Sequence, residues 1–364
     1  MHSLILSLVV LLFVPTCAYS SESETANTME GKINEPFFGD LPQIRERNIL
    51  RVVVSQSRTN FFYTPKGIKG LEYDLLKAYE TFLNRGPRQQ RYKTHVAFIP
   101  LPFEQILDQL TQGRADIAAA GLTINDERKA FVDFTKPYIN NINEILVTHK
   151  SNNSQISTLE DLAGEKILVL ANSSYVVQLQ KLNQFLGMQA LEPIEVIQAD
   201  PILDSADILE LINSEVIKYT VIDSHLAQLY EKQFDNLKLI DSFIFRHNGQ
   251  IGWAVNKNTP KLLNSLNTFI ESYAKQGRFL RNSIYRKYFE NDYWIKRPLT
   301  TSLLSKKPCL EYYFDKYATF FDFDPFLIHA LAYQESRFRS NLESHVGAYG
   351  IMQIKPSTAR IQTK

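Results

Sequence analysis

The sequence predicts two α/β lobes written one after the other, followed by a short all-helical segment. Three observations carry this. Apolar, β-branched runs alternate with amphipathic stretches from residue 49 onward, the pattern of an α/β fold with a largely parallel sheet. The alternation starts again near residue 158. After Pro298 no strand pattern returns, and only helical periodicity remains.

Residues 49–54, ILRVVV, read as a buried strand. An aromatic loop, Phe61-Phe62-Tyr63, follows; its rings, like Phe103, either stack on a ligand or fill the lobe core. Gly70–Asp74 leads into a helix with Leu71, Leu75, Ala78, Tyr79 and Phe82 on one face. THVAFIP (94–100) is a second strand, helix 103–112 is closed by Gly113, and ADIAAA (115–120) is a third strand ending at Gly121. The second lobe opens with helix 158–162, then strand 166–171, a helix to about 185, strand 193–198, helix 204–214 and strand 219–222. QIGWAVN (250–256) reads as one strand, before helix 260–275 and another helix to about Phe289. Helices 308–320 and 325–336 close the pass.

A length of 364 residues favours two or three domains. With 44% hydrophobic and 22% charged residues, the chain is neither a polyelectrolyte nor a polytopic membrane protein. A formal net charge of +1 carries no signature of a nucleic-acid partner. Cys17 and Cys309 cannot build a disulfide framework, and no Cys/His spacing suits zinc, so no metal and no cofactor is expected. The apolar run LILSLVVLLFV (4–14) is too short to span a bilayer, which takes about 20 residues. It fits a signal peptide over 1–20, with Ala18-Tyr19-Ser20 at the cleavage site, although no Lys or Arg precedes it. Lipidation of Cys17 is the second reading, and a buried N-terminal helix the third. Residues 21–47 then read as a leader.

The run GRADIAAAGLTINDERKAFVDFTKPY (113–138) resembles the signature segment of periplasmic amino-acid-binding proteins. LRVVV, Gly70–Asp74 and 253–279 match the same pattern in order. The resemblance implies a two-lobed periplasmic-binding-protein fold over 48–297. Lobe one would take 48–140 and 245–292, lobe two 141–244, with two crossing strands and a ligand cleft between them. By resemblance, Gly121, Thr123 and Arg128 bind the carboxylate of an amino acid or short peptide. The chemistry agrees: a guanidinium is a planar fork that grips a carboxylate bidentately. Arg128 paired with a neighbouring acid on a helix surface is the alternative. Asp223, just after a strand, faces the ligand ammonium or caps a helix. Ser173 and Ser174 at a helix start receive an anion or act as caps.

The last segment holds sharper chemistry. Asp324-Pro325 starts a helix that sets Ile328, Leu331, Ala332 and Glu335 on one face. A carboxylate buried there, at the negative end of the helix dipole, would keep its proton and serve as a general acid. On spacing alone, a frayed helix end with Glu335 in water stands beside it. LIHALAYQESRF (327–338) and HVGAYGIMQIKPSTA (345–359) are similar to the lytic transglycosylases, whose fold is related to goose-type lysozyme. The resemblance implies the start of an all-α lysozyme-like transglycosylase domain over 298–364, incomplete at Lys364. It implies Glu335 as the catalytic acid and base, with Ser336, Gly350 and Gln353 lining the sugar site. Met352 reads as core, and Asp322, Asp324 and Glu343 as surface or capping acids.

The module order resembles the membrane-bound lytic murein transglycosylases of the F type. That implies peptidoglycan glycan strands as substrate, and cleavage of the MurNAc–GlcNAc bond with a 1,6-anhydromuramoyl product. It also implies a regulatory amino-acid or peptide ligand. The expected place is the periplasm of a Gram-negative bacterium, peripheral to the outer membrane. The alternatives are a periplasmic amino-acid-binding protein and a non-catalytic murein sensor. The basic run 275–307 is either a wall- or membrane-facing patch or a solvated helix face.

Overall fold

The computed structural model describes residues 35–64, 67–86, 92–154, 156–241, 244–275 and 283–290. In the C-terminal part it describes 314, 316–318, 320, 321, 323, 325–336, 342–344 and 347–362. The apolar run 4–14, Cys17, Cys309, Asp322 and Asp324 lie outside the described residues, as does most of helix 308–320. The chain divides into two compact units, Met1–Tyr63 with Ile68–Glu290, and Thr64–Gly67 with Asn291–Lys364.

The first unit is built on two large sheets, beside a small two-stranded ribbon of Phe62–Thr64 and Gly67–Lys69. In lobe one, β1 (Ile49–Val54), β2 (His95–Pro100), β3 (Ile117–Ala119), β4 (Val132–Phe134) and β11 (Ala254–Asn256) lie in the order β2-β1-β3-β11-β4. Strands β2 and β3 run parallel to β1, while β11 is antiparallel to both β3 and β4. In lobe two the order is β9-β5-β8-β6-β7, with β10 also paired to β5. These are β5 (Ile139–His149), β6 (Lys166–Val169), β7 (Glu195–Gln198), β8 (Tyr219–Asp223), β9 (Leu237–Ile240) and β10 (Arg246–Ile251). Both sheets are mixed, which corrects the expectation of a largely parallel sheet. The reason is chain return: a strand that comes back from the other lobe enters the sheet antiparallel.

Strands β5 and β10 make the crossing between lobes. They pair antiparallel with register shifts between Arg246 and Gly249 and between Gly249 and Ile251. QIGWAVN is not one strand. It breaks at Gly252-Trp253, because β10 belongs to the crossing and β11 to the lobe-one sheet. The expected helix 158–162 is a single 3-10 turn, Glu160–Leu162.

Residues 41–47, expected in a leader, form helix α1 (Leu41–Arg47). Asp40 caps it, and Leu41 and Ile44 are buried. Helix α2 (Leu71–Leu83) buries Leu75, Leu76 and Tyr79 and meets α8 (Pro260–Lys275) through Tyr79 and Phe269, ring centroids 5.3 Å apart. Helices α3 (Ile106–Thr111) and α4 (Asp126–Lys129) belong to lobe one. Lobe two carries α5 (Ser174–Met188), α6 (Ser205–Asn213) and α7 (Ser224–Glu231). A capping box between Asp204 and Asp207 starts α6.

One ion pair sits inside lobe one. Arg51 Nη2 lies 2.9 Å from Asp116 Oδ1, with side chains 0% and 3% exposed. The Arg51 guanidinium also donates to the carbonyls of Glu35 and Gly113, at 2.8 Å each. Removing one partner of a buried pair strands the other charge, at a cost of about 3–5 kcal/mol. Asp116→Ala is therefore expected to lower the unfolding free energy by about that amount; urea titration followed by circular dichroism checks it.

Candidate functional site

The cleft of the first unit encloses about 310 Å³. Gly121, Thr123, Arg128, Ser174, Asp223 and His225 all line it. The four residues expected to hold a ligand there thus meet in one cavity.

Gly121 follows β3 with φ +65, a conformation suited to glycine. Its amide donates at 3.0 Å to Glu72 Oε1. Glu72, on α2, is fully buried and also accepts from Trp253 Nε1 at 2.6 Å and from the Tyr138 hydroxyl. Burial pushes the Glu72 carboxyl up; its Tyr138, Trp253 and Gly121 donors pull it down. Gly121 therefore serves the site as a held loop, with its N–H already spent. A Cβ at Gly121 would meet Asn60 Nδ2 at 3.0 Å.

Arg128 is 6% exposed and makes no ion pair within 4 Å with an acid among the described residues. The Asn125 side chain caps its helix by accepting from the Arg128 amide at 2.8 Å. Nη1 donates to the Thr123 carbonyl at 3.0 Å, and Nη2 to the Asn172 carbonyl of lobe two at 3.1 Å. The helix-surface alternative is thereby ruled out. Burial, reinforced by Arg246, pulls the guanidinium down to about 10, so it stays charged at neutral pH.

The wall of lobe two is acidic. Asp223 holds the N-cap position of α7 but makes no side-chain cap hydrogen bond. Its amide donates to the Tyr175 hydroxyl at 3.1 Å, and its Oδ1 has no hydrogen-bond partner among the described residues. Burial, then the nearby Glu144, push its carboxyl up to about 8. Ser173 is likewise an N-cap residue without a side-chain cap. The Ser174 hydroxyl lies 3.4 Å from Thr123 Oγ1 and donates to Glu144 Oε1 at 2.7 Å. His225 is buried, which pulls its imidazole down to about 3, so it is neutral. Phe103 is half-buried at the cleft wall with Arg128 6.0 Å from its ring centroid, whereas Phe61 is fully buried core. Exposed polar contacts bridge the lobes: Lys181 Nζ meets Glu127 at 2.6 Å, and Arg58 reaches Asp207 at 3.6 Å.

Residues 50–291 match the family of bacterial extracellular solute-binding proteins, family 3. The chain belongs to that family. Among solved structures, this solute-binding module is similar to an ancestral arginine-binding protein bound to arginine, 28% identical with TM-score 0.55, covering 67% of this chain and 99% of that one. A mutant of ArgBP from T. maritima shares the fold at TM-score 0.57 and 23% identity, over 69% of this chain and 99% of that one.

Residues 312–364 match the transglycosylase SLT domain. Three membrane-bound lytic murein transglycosylases F are similar over nearly the whole chain. The Pseudomonas fluorescens protein is 26% identical over 88% of this chain and 63% of its own length. The figures are 27%, 85% and 64% for Desulfosudis oleivorans, and 25%, 98% and 66% for Saccharophagus degradans. The chain thus spans 63% to 66% of the length of these relatives.

Within this second unit, α9 (Pro325–Ser336) ends on Glu335-Ser336. Glu335 is exposed, which corrects the expectation of a buried acid. Its helix face is covered only in part: Ala332 is buried and Ile328 half-buried, whereas Leu331 is 41% exposed. Ser336 is buried and donates to the Ile351 carbonyl at 2.7 Å. That bond ties the helix end to the 342–354 loop. Gly350 turns the loop with φ +80. Gln353 spends its amide on the Leu342 and Gly350 carbonyls, at 3.0 and 2.9 Å. Both polar residues expected at the sugar site therefore brace the loop beside Glu335. Met352 is half-buried and Glu343 exposed. Two members of the basic run are paired: Arg286 with Glu290 at 3.3 Å and Lys287 with Asp74 at 2.8 Å.

Glu72 and Glu144 escaped the sequence reading. A Glu in the first turn of a helix ordinarily faces water. The signal that finds Glu72 is the pair of polar tips on Tyr138 and Trp253, which need a partner when buried. Glu72→Ala leaves three donors unpaired, each costing about 1–3 kcal/mol. Denaturant unfolding should show a loss above about 3 kcal/mol, and hydrogen exchange a deprotected Gly121 amide.

Proposed function

We propose that the chain is a murein-degrading lytic transglycosylase with a regulatory solute-binding module, working in the periplasm. The observation behind the ligand reading is the facing of Arg128 and Asp223 across one cleft. An α-amino acid, or the terminus of a short peptide, carries the complementary charges on adjacent atoms. Its carboxylate meets the Arg128 fork and the Thr123 hydroxyl; its ammonium meets Asp223. Gly121 gives the ligand room to approach, having no side chain. The arginine held by a 28% identical structure is the first probe to try.

The domain order and the Glu335-Ser336 and Gly350–Gln353 motifs support the enzymatic reading. Glu335 protonates the glycosidic oxygen between N-acetylmuramic acid and N-acetylglucosamine, and the C1–O bond breaks. The substrate acetamido group stabilises the cationic centre, so one carboxyl group suffices. Glu335, now a carboxylate, takes the proton of the muramoyl 6-hydroxyl, whose oxygen closes on C1. The product is a 1,6-anhydro ring, and no water is consumed. The exposed Glu335 becomes effective once a bound glycan strand dries it. Ser336 and Gln353 support it by holding the loop. A peripheral outer-membrane location and ligand control of cleavage belong to the same proposal. That exposure also favours a second reading, a murein sensor without catalysis.

Two measurements test this. Arg128→Ala should weaken binding of L-arginine, or of whichever free L-amino acid binds, by about 100-fold or more; calorimetry reads it, and unchanged affinity refutes the cleft assignment. Purified murein, digested by this chain and by the full product of its gene, is then analysed by mass spectrometry. Release of 1,6-anhydromuropeptides is expected, falling at least about 100-fold in Glu335→Gln. No release from either protein leaves the sensor reading.

A further inference from the structure

Strands β10, β5 and β8 bring three charged side chains into one row. Arg246 is registered against Glu144, and Glu144 against Asp223. Residues directly opposite in a sheet project to the same face, and like charges there repel. Both carboxylates are buried, with Glu144 1% and Asp223 4% exposed. Each has one oxygen without a hydrogen-bond partner among the described residues, Glu144 Oε2 and Asp223 Oδ1.

The two acids are not equivalent. Glu144 Oε1 accepts from Ser174 at 2.7 Å and lies 3.3 Å from Arg246 Nε, an ion pair without hydrogen-bond alignment. Among the described residues, the hydrogen-bond donor beside the Asp223 carboxyl is the Tyr175 hydroxyl. The other charged groups acting on the row are Arg128 from α4 and Lys181 from α5; His225, also lining the cleft, is neutral. The guanidinium partner therefore serves Glu144, and the repulsion falls on Asp223.

We propose that Glu144 is a positioning residue for the ligand ammonium: the Glu144–Asp223 pair keeps one proton until a ligand cation reaches Asp223 and displaces it. The proposal rests on the amino-acid reading of the cleft given above. The step balances: the Asp223 carboxylic acid loses its proton to solvent, and the ligand ammonium takes its place as counter-charge.

The direction of the shift agrees. Asp223 is pushed up to about 8, first by burial and then by Glu144. Below that pH the acid must ionise before it can pair, so ligand affinity rises with pH. The slope approaches tenfold per pH unit well below 8 and is lost above it, where the ligand's own α-ammonium begins to give up its proton. Glu144→Gln removes the repulsion. Asp223 then ionises at lower pH, and binding at pH 6–7 tightens while the profile flattens. A residue with a merely structural role would weaken binding at every pH.

The experiment is calorimetry of the whole chain with L-arginine and L-glutamine, in phosphate and in Tris, at pH 7 and pH 9. The expected result is close to one proton released per ligand at pH 7, no release at pH 9, where the ligand's own partly deprotonated α-amine takes protons up instead, and a smaller release at pH 7 in Glu144→Gln. Binding without proton release at pH 7 overturns the proposal and leaves the amino-acid reading standing. If neither amino acid binds, that reading is the one that suffers, and infrared titration of the ligand-free chain decides the proton. A carboxylic-acid C=O stretch surviving at pH 7 and absent in Asp223→Asn supports the pair; no such band in the wild type overturns it.

Discussion

The ligand cleft of the solute-binding module depends on one buried carboxylate. Glu72 draws donors from three separated parts of the chain: the loop after β3, the start of the crossing at Tyr138, and Trp253 just before β11. Each donor would be costly to bury alone. Gathered on one acceptor, they fix where β3 ends, where β5 leaves lobe one and where the chain returns. The ligand loop, with Gly121 and Thr123, takes its position from that knot.

Charge in the module follows burial. Arg51 and Asp116 form a closed pair inside lobe one. Arg128, Asp223 and Glu144 are just as buried, yet only part of their hydrogen-bonding capacity is used within the protein. A buried charge persists only with a partner. Arg51 and Asp116 satisfy each other within the lobe, whereas Glu144 and Asp223 each keep one oxygen without a hydrogen-bond partner among the described residues. The contrast separates scaffold from site without reference to any relative.

Much of this was legible in the sequence. The strand–helix alternation located most elements, because apolar runs such as ILRVVV are buried on both faces. Arg128 was singled out by the 113–138 segment and Asp223 by its place just after a strand, and both line the cleft. Two crossing strands were expected, but the residues of β5 went unassigned: Asn140, Asn141, Asn143 and Glu144 interrupt its alternation, and Asn140 and Asn141 are exposed. Glu144 vanished with it. The fate of Ser336 and Gln353 was also hidden, because a motif names residues without telling whether they touch substrate or hold a loop. Periodicity likewise placed Glu335 on an apolar stripe, but only the fold reveals whether that stripe is covered.

The crossing strands carry a mechanical consequence. Strand β10 slips register twice against β5 within six residues, and Asn248 between them adopts φ +52. A ladder interrupted in this way bends more easily than a regular one. The ribbon between the lobes thus has a built-in crease, and relative rotation of the lobes is focused there rather than spread along the strands. Arg246 and Glu144 sit at one end of that crease. There the ion pair clamps the two crossing strands to one another, so the ribbon is pinned by charge where its ladder of hydrogen bonds is broken.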